Sequence, residues 1–328
     1  MARTFVVGTR GSRLALRQTD LVVQVLRAAH PGVAIDLREV HTEGDRTSAP
    51  LSQIGGTGVF TKAIEEALLR GDADIAVHSM KDLPPAVAHG LAIAAVPERA
   101  DPRDVLVTRD GATLEELPAG ARIGTGSTRR AVQLRALRPD IATAEIRGNV
   151  DTRIRKVDAG EYDGVVLALA GLQRLGLEAR AAHTFEADVM TPAVGQAALA
   201  VETRADDAET VALVGAVDHW QTRVAVSAER AFLERLGAGC RLPVGCWARA
   251  RHDGAVALDA FLADDDGRAH RLHRPFTGPR VEREGPLAHA LPHGRLDDPA
   301  EFVAAVLAAR QLGIEAAEAL LAQAEAAR

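Results

Sequence analysis

The chain has 328 residues, of which 47% are hydrophobic and 26% are charged, a balance typical of a globular protein with about two or three domains. Its formal net charge of −6 disfavours nucleic acid and anionic membranes as partners, because both repel a negative surface. No apolar stretch reaches the roughly 18 residues of a membrane-spanning helix, and the apolar run near the N-terminus is too short for a signal peptide. We therefore expect a cytoplasmic protein.

The cysteines and lysines are few. Cys240 and Cys246 are the only cysteines, and in a cytoplasmic protein such a pair predicts free thiols rather than a disulfide. The C-x5-C spacing without nearby histidines is not typical of a zinc site, so we expect no metal. Lys62, Lys81 and Lys156 are the only lysines among 39 basic residues. A bias toward arginine codons explains most of this imbalance, but a retained lysine indicates a place where an ammonium group is needed.

Strand and helix signals alternate through the first 98 residues. Strands are predicted over 4–8, 33–37, 73–77 and 91–96, and helices over 13–29, with Ser12 as N-cap, and over 59–70. The apolar residues of the first helix that we expect to point inward are Leu14, Leu21, Val25 and Ala28. Residues 45–58 are rich in Gly and Ser and lack periodicity, which is typical of a mobile loop over a site.

The same alternation restarts after the charged stretch 98–103. Strands are predicted over 105–108, 122–125, 141–146 and 164–168, helices over 127–137 and 150–159, a crossover at 192–196 and a strand over 197–202. Strands separated by helices of this length indicate parallel α/β sheets with functional groups at the strand ends.

The last third of the chain has a different pattern. A helix is predicted over 222–236, and turns at Asp253-Gly254 and Asp266-Gly267 separate the strands that follow it. Two helices, near 299–310 and 314–326, are predicted to close the chain. This pattern indicates a small α+β domain.

Three predicted strands end in a polar or cationic cluster that opens a helix. The clusters are Gly8-Thr9-Arg10-Gly11-Ser12, the segment 124–130 with Arg129 and Arg130, and Arg147-Gly148-Asn149 with Arg153 one turn later. Free N–H groups at a helix start and guanidinium groups both bind anions. A single such cluster is better explained by a capped helix with solvated arginines. Three clusters at the same topological position favour one large anionic ligand. A dinucleotide is disfavoured, because Arg129 stands where the G-x-G-x-x-G fingerprint requires its last glycine.

Two further segments carry reactive groups. Lys81 and Asp82 follow a predicted buried strand, at a sheet edge that faces a crevice, and Pro84-Pro85 stiffens the segment. We interpret them as functional, whereas His78 is equally well explained as a hydrogen-bonded core residue. Cys240 lies in a Gly-flanked loop near cations, where a thiolate would be stabilised for covalent chemistry; a small buried hydrophobic role is an equal alternative.

Nine segments together resemble the hydroxymethylbilane synthases, also called porphobilinogen deaminases. In chain order they are TRGSRLAL (9–16), ADIAVHSMKDLP (73–84), ERADPRD (98–104), IGTGSTRR (123–130), IRGNVDTR (146–153), LALAGLQRLGL (167–177), PAVGQ (192–196), AERAFL (228–233) and GCRLPVG (239–245). They follow the family's order, and so many independent motifs make an accidental match implausible. The C-terminal domain is similar only loosely.

The resemblance implies an α/β fold with two similar domains like those of type II periplasmic binding proteins and a cleft between them. A small α+β C-terminal domain completes the implied fold. The implied domains are residues 1–98 with 194–216, residues 103–190, and residues 220–328, the last carrying the cysteine.

The resemblance also implies a transferase of tetrapyrrole biosynthesis, the route to porphyrins and heme. The family joins four porphobilinogen molecules head to tail, releases ammonia at each step, and frees the linear hydroxymethylbilane by hydrolysis. Its cofactor is a dipyrromethane built from the substrate and bound through a thioether, for which the matching residue is Cys240. We expect porphobilinogen as substrate, a monomer, and transfer of the product to the next enzyme of the pathway.

Individual residues match the family's functional positions. Asp82 matches the catalytic aspartate, which contacts pyrrole N–H groups and stabilises the cationic azafulvene left by loss of ammonia. Cofactor-binding positions are matched by Lys81, Asp82, Thr125, Ser127, Arg129, Arg130, Arg147 and Gly148. Substrate-binding positions are matched by Arg10, Ser12, Gln18, Ser79, Arg147, Arg153 and Arg174. Each pyrrole carries an acetate and a propionate, which explains the need for arginines.

The sequence departs from the family's pattern at a few positions. Thr57 and Gln53 stand where well-known members have lysines in the mobile loop, Gly126 stands where Ser is common, and Ala197 replaces a Gly. These changes affect the expected part of the loop in binding rather than the reaction. The alternative function is a non-enzymatic carboxylate-binding protein of the same two-domain fold. The lack of a secretory signal and the presence of Cys240 both count against it.

Overall fold

The structure, a computed structural model, describes residues 3–40, 61–237, 243–264, 266–277 and 299–327. The strands are β1 (Thr4–Thr9), β2 (Ala34–Glu39), β3 (Ile75–Ser79), β4 (Leu91–Ala95), β5 (Asp104–Thr108), β6 (Arg122–Gly124), β7 (Ala142–Ala144), β8 (Gly164–Ala168), β9 (His183–Thr184), β10 (Leu199–Arg204), β11 (Val244–Ala250), β12 (Val256–Ala263) and β13 (Ala269–Thr277). The helices are α1 (Arg13–Ala29), α2 (Lys62–Leu69), α3 (Thr128–Leu137), α4 (Val150–Asp158), α5 (Leu169–Leu175), α6 (Ala208–Val214), α7 (Trp220–Arg235) and α8 (Pro299–Ala326). Over these ranges, no helix is both long and apolar enough to cross a membrane.

Two five-stranded sheets have the same topology. Their strand orders are β2-β1-β3-β10-β4 and β7-β6-β8-β5-β9. In each sheet the first three strands are parallel and the fourth is antiparallel to both of its neighbours. That fourth strand is reached by a crossing from the other sheet: residues 96–103 lead from β4 into β5, and residues 185–198 lead from β9 into β10. We call these the first and second crossings.

A third, antiparallel sheet, β11-β12-β13, packs against α7 and α8. Two similar α/β units with a small α+β unit make up the predicted fold class, which is confirmed. The residue boundaries of the three domains stay a prediction.

The inward face predicted for α1 is wrong. Val22, Val23 and Leu26 are the residues that pack into the core under β1 and β3, whereas Val25 is 48% exposed. Leu14 is only partly buried and instead lines the cleft described below. Apolar residues lie on more than one side of α1, because one side covers the sheet and another faces the second α/β unit. The periodicity alone could not decide which side is the core.

The pair of helices predicted to close the chain is a single helix, α8. Gly313 lies between the two predicted helices, and in the structure it faces the backbone of α7 at close range. A Cβ at this position would lie 2.0 Å from the carbonyl oxygen of Ala228 on α7. Gly313 therefore provides room for two backbones to approach, and the helix continues through it.

Candidate active site

A cleft of about 640 Å³ lies between the two α/β units. Most of the site residues predicted from the sequence line it. From the first unit these are Arg10, Ser12, Gln18, Ser79, Lys81 and Asp82, and from the second they are Arg130, Arg147, Gly148, Arg153 and Arg174. The carboxyl ends of parallel strands converge at one edge of a sheet, so two such edges facing each other bring these distant segments together.

Strand ends position the residues of the first unit. Ser12 is the N-cap of α1, and its hydroxyl accepts a hydrogen bond from the N–H of Ala15 at 3.3 Å. One turn further on, the amide of Gln18 donates to the hydroxyl of Ser79 at 2.9 Å, which ties α1 to the end of β3. The chain then forms a short 3₁₀ turn, Met80–Asp82, which carries Lys81 and Asp82 into the cleft.

The second crossing holds this turn in place. Gly195 in that crossing has a left-handed backbone, with φ of +68°, and a Cβ there would lie 2.6 Å from the Cγ atom of Met80. Only glycine fits both the backbone angle and the contact. The position of Lys81 and Asp82 therefore depends on a segment more than a hundred residues away in the sequence.

Helix starts position the residues of the second unit. The hydroxyl of Ser127 accepts from the N–H of Arg130 at 3.4 Å and caps α3. Asn149 precedes α4, whose first turns carry Arg153, and α5 carries Arg174. The starts of α3 and α4 follow the sequence prediction, whereas α5 was not predicted.

Thr125, Ser127 and Arg129, also predicted to bind the cofactor, do not line the cleft. Thr125 is buried, and its hydroxyl accepts from the N–H of Ser127 at 3.2 Å. Arg129 is 4% exposed. Its guanidinium forms an ion pair with Asp104 at 2.8 Å and donates a hydrogen bond to the carbonyl of Thr191 at 2.6 Å. In this structure these three residues support the wall of the cleft, and their predicted role in binding stays a prediction.

Several cleft cations have uncharged oxygens as partners. The guanidinium of Arg153 donates to the carbonyl of Gly148 at 2.8 Å, and that of Arg174 donates to the carbonyl of Ala197 at 2.6 Å. Desolvation lowers the pKa of Arg174 to about 10, and desolvation with repulsion from Arg130 and Arg147 lowers that of Arg153 to about 10. Among the described residues, no carboxylate lies near either cation to offset this cost.

Lys81 and Arg147 extend the excess of positive charge. The side chain of Lys81 is exposed along part of its length. Desolvation of its ammonium group and repulsion from Arg130 lower its pKa to about 8. The Nε and Nη2 atoms of Arg147 are buried and have no hydrogen-bond partner among the residues that the structure describes, and the carboxylate of Glu145 lies 3.7 Å from Nε. Asp82 is the one carboxylate among the described residues that line the cleft. Such a site is built for an anionic ligand.

Asp104 is a buried anion behind the cleft that the sequence did not single out. It is 0% exposed, and its two carboxylate oxygens contact Arg130 at 2.6 Å and Arg129 at 2.8 Å. Burial raises the pKa of Asp104, but these two guanidinium groups more than offset it and hold that pKa well below its usual value. One carboxylate shared by two arginines leaves net positive charge for the ligand.

A second cavity, of about 1080 Å³, lies between the crossings and the third sheet. Its arginines are largely neutralised within the protein. Arg103 contacts Asp101 and Glu186, both at 2.7 Å, and Arg249 contacts Asp259 at 2.6 Å. Although this cavity is larger, it lacks the unbalanced charge that distinguishes the cleft.

The two cysteines differ in what the structure describes. Cys240, the predicted attachment residue, lies outside the described residues, as do Gln53 and Thr57 of the predicted loop. Cys246 is fully buried on β11, and burial raises its pKa well above the usual value, so this thiol is unsuited to covalent chemistry. His78 is a buried core residue that lies 3.2 Å from Glu202 and does not line the cleft.

The fold and the cleft define a class of protein. Two α/β units enclose a cleft whose described lining has six basic side chains and one carboxylate, and the ligand that such a cleft fits is a small molecule with several carboxylates. The chain belongs to the porphobilinogen deaminase family. Residues 5–212 match the family model described as porphobilinogen deaminase, dipyromethane cofactor binding domain, and residues 223–278 match the model of the C-terminal domain.

Bacterial relatives are similar over most of their length. A porphobilinogen deaminase of Desulforudis audaxviator is 52% identical over 81% of this chain and 86% of its own. That of Roseiflexus sp. is 49% identical over 83% and 89%, and that of Brevibacillus brevis is 44% identical over 97% and 94%. Solved structures with similarity include the methionine-binding protein MetQ, with a TM-score of 0.42 and 13% identity over 65% of this chain and 88% of that one.

Proposed function

We propose that the chain is a hydroxymethylbilane synthase, a transferase that joins four porphobilinogen molecules on a covalent dipyrromethane primer and releases ammonia at each step. Hydrolysis then frees the linear tetrapyrrole. Family membership supports this activity, and the cleft is the observation that carries it for this chain. Within the described part of the chain, Arg153 and Arg174 of this cleft pair with backbone carbonyls and with no carboxylate, which matches a substrate and product in which every ring has two carboxylates.

The residues of the cleft fit the cofactor as well as the substrate. A dipyrromethane has four carboxylates, and Arg147 offers two buried N–H groups that have no hydrogen-bond partner within the described structure. Lys81 and Arg130 lie on opposite sides of the cleft and offer further positive charge. When bound, the primer supplies the ring carbon to which the first substrate is joined. We propose Cys240 as its attachment point, because Cys246 is buried.

Asp82 is the proposed catalytic residue. When the amino group of the substrate's aminomethyl substituent leaves as ammonia, the methylene carbon stays on the ring and positive charge develops on the pyrrole. A carboxylate fixed nearby stabilises this charge without having to reorganise, as water would. The surrounding cations bind the carboxylates of the substrate. The carboxylate of Asp82 faces the positive charge that develops on the pyrrole ring.

Arg10, Ser12, Gln18, Ser79, Arg153 and Arg174 are proposed to bind the substrate and the growing chain. Thr125, Ser127, Arg129 and Gly148 are proposed to hold the cofactor, the first three by supporting the wall that carries Arg130. We also propose a cytoplasmic monomer that acts on small molecules and binds neither nucleic acid nor membrane. Its product would pass to the next enzyme of the pathway.

The test is to incubate the purified protein with porphobilinogen and to measure ammonia and linear tetrapyrrole, together with the intact mass of the protein. We expect one ammonia for each porphobilinogen consumed and a mass increase equal to two pyrrole units. Fully active protein without that adduct would contradict the covalent mechanism. Binding of porphobilinogen without any ammonia release would instead support the non-enzymatic carboxylate-binding protein.

A further inference from the structure

Gln196 lies in the second crossing, is 1% exposed, and connects groups from both α/β units. Its Nε2 group donates to a carboxylate oxygen of Asp104 at 2.9 Å and to the carbonyl of Pro102 in the first crossing at 2.7 Å. Its Oε1 atom accepts from the ammonium of Lys81 at 3.4 Å. One amide thus joins the two crossings to each other and to a cleft cation.

The two contacts of Nε2 determine which way the amide points. Both of its N–H groups are directed at oxygen acceptors, so the carbonyl oxygen must face Lys81. The carboxylate of Asp104, held by Gln196, in turn binds Arg130 through two nitrogens, at 2.6 and 3.1 Å. Lys81 from the first unit and Arg130 from the second are therefore fixed relative to each other through the side chains of Gln196 and Asp104.

An uncharged amide suits this position for an electrostatic reason. A carboxylate at position 196 would neutralise Lys81 and repel Asp104, and a cation would repel Lys81. An apolar side chain would leave the buried carboxylate of Asp104 short of a donor. Only an amide of this length can donate to an anion on one side and accept from a cation on the other, without using up the charge that the ligand needs.

We propose that Gln196 is a positioning residue that acts through Lys81: it holds the ammonium group at a fixed distance from Arg130, so that both bind the same anionic ligand. This inference rests on the proposed function for its consequence in catalysis, but its physical content is testable without substrate. The charged groups that face Lys81 are Asp82, Asp104, Arg129 and Arg130.

The experiment uses the scarcity of lysine in this chain. With only three lysines, selective isotope labelling of their Cε atoms gives three resonances in the NMR spectrum, and Lys81→Arg identifies the one of interest. The variants are Gln196→Met, which removes both hydrogen-bonding functions, and Gln196→Glu, which keeps the shape. Gln133→Met is the matched control, because Gln133 is also a buried amide but bonds to the backbones of Thr191 and Arg129 and to Arg271, not to Lys81 or Asp104.

We expect the midpoint of the Lys81 titration to fall in Gln196→Met, since the ammonium loses an acceptor near Arg130, and to rise in Gln196→Glu. Gln133→Met should lower the thermal stability but leave this titration unchanged. The apparent KM for porphobilinogen should rise about tenfold in Gln196→Met, roughly the effect of one hydrogen bond. An unchanged Lys81 titration in both Gln196 variants, or failure of both to fold, would overturn the proposal. If the proposed function is wrong, the wild-type protein will show no turnover of porphobilinogen. The Lys81 titration is measured without substrate and does not depend on that result.

Discussion

Replacing Asp82 with Asn removes the one carboxylate of the described cleft while keeping the size and much of the hydrogen bonding of the side chain. A unit charge about 4 Å from a developing cation contributes roughly 4 kcal/mol at an effective dielectric constant of 20. Solvent reaches Asp82, which weakens the interaction. We therefore expect turnover to fall by ~10²–10³, the usual effect of losing one preorganised group, with much less change in substrate binding.

The assay is a single-turnover measurement of ammonia release and pyrrole addition with Asp82→Asn that already carries its cofactor. Asp36→Asn is the matched control, since it makes the same change of charge on the exposed edge strand β2. The control should react at the wild-type rate. Wild-type rates in Asp82→Asn itself would remove this residue from the mechanism, and the stabilising group would have to be sought elsewhere in the cleft.

Three other predictions concern attachment and stability. Cys240→Ser should lose the cofactor mass and the activity, whereas Cys246→Ser should keep most of both; the opposite result in intact mass would refute the assignment. Ala197 is the one described non-glycine residue with positive φ, +71°, so Ala197→Gly should stabilise the protein by about 0.5–1 kcal/mol in urea unfolding, and no gain would mean the strain is negligible. Gly313→Ala should destabilise it by about 1–3 kcal/mol, because the new Cβ meets the backbone of Ala228; an unchanged urea midpoint would show that α7 and α8 can separate at no cost.

The sequence was informative where local patterns decide the structure. The alternation of strands and helices, the cap at Ser12 and the helix start at Ser127 could all be predicted, because each depends on neighbouring residues. The gathering of Arg10, Lys81 and Arg147 into one cleft followed from topology, since each comes directly after a strand of a parallel sheet.

Features that depend on distant contacts were not predictable in the same way. Strand β3 was predicted two residues too early, as was β10, and their true limits are set by pairing Ser79 with Leu199 across the sheet. Asp104 lies at the end of a recognised motif, and Gln196 ends another, but nothing local indicates that they bind each other. Gly313 resembles a helix break in the sequence, and only its contact with α7 explains why the helix continues.

The insertion of the whole second sheet between β4 and β10 of the first sheet has a consequence for synthesis on the ribosome. Every strand of the second sheet lies between Asp104 and Thr184, so that sheet can close as soon as this stretch has emerged. The first sheet cannot, because β4 has β10 as its neighbour, and β10 ends only at Arg204. The middle of the chain can therefore reach its native pairing before the beginning does. Until β10 has emerged, β4 has no strand beside it and its edge is exposed. We expect chaperones to bind the nascent chain during this interval, because unpaired strand edges promote aggregation.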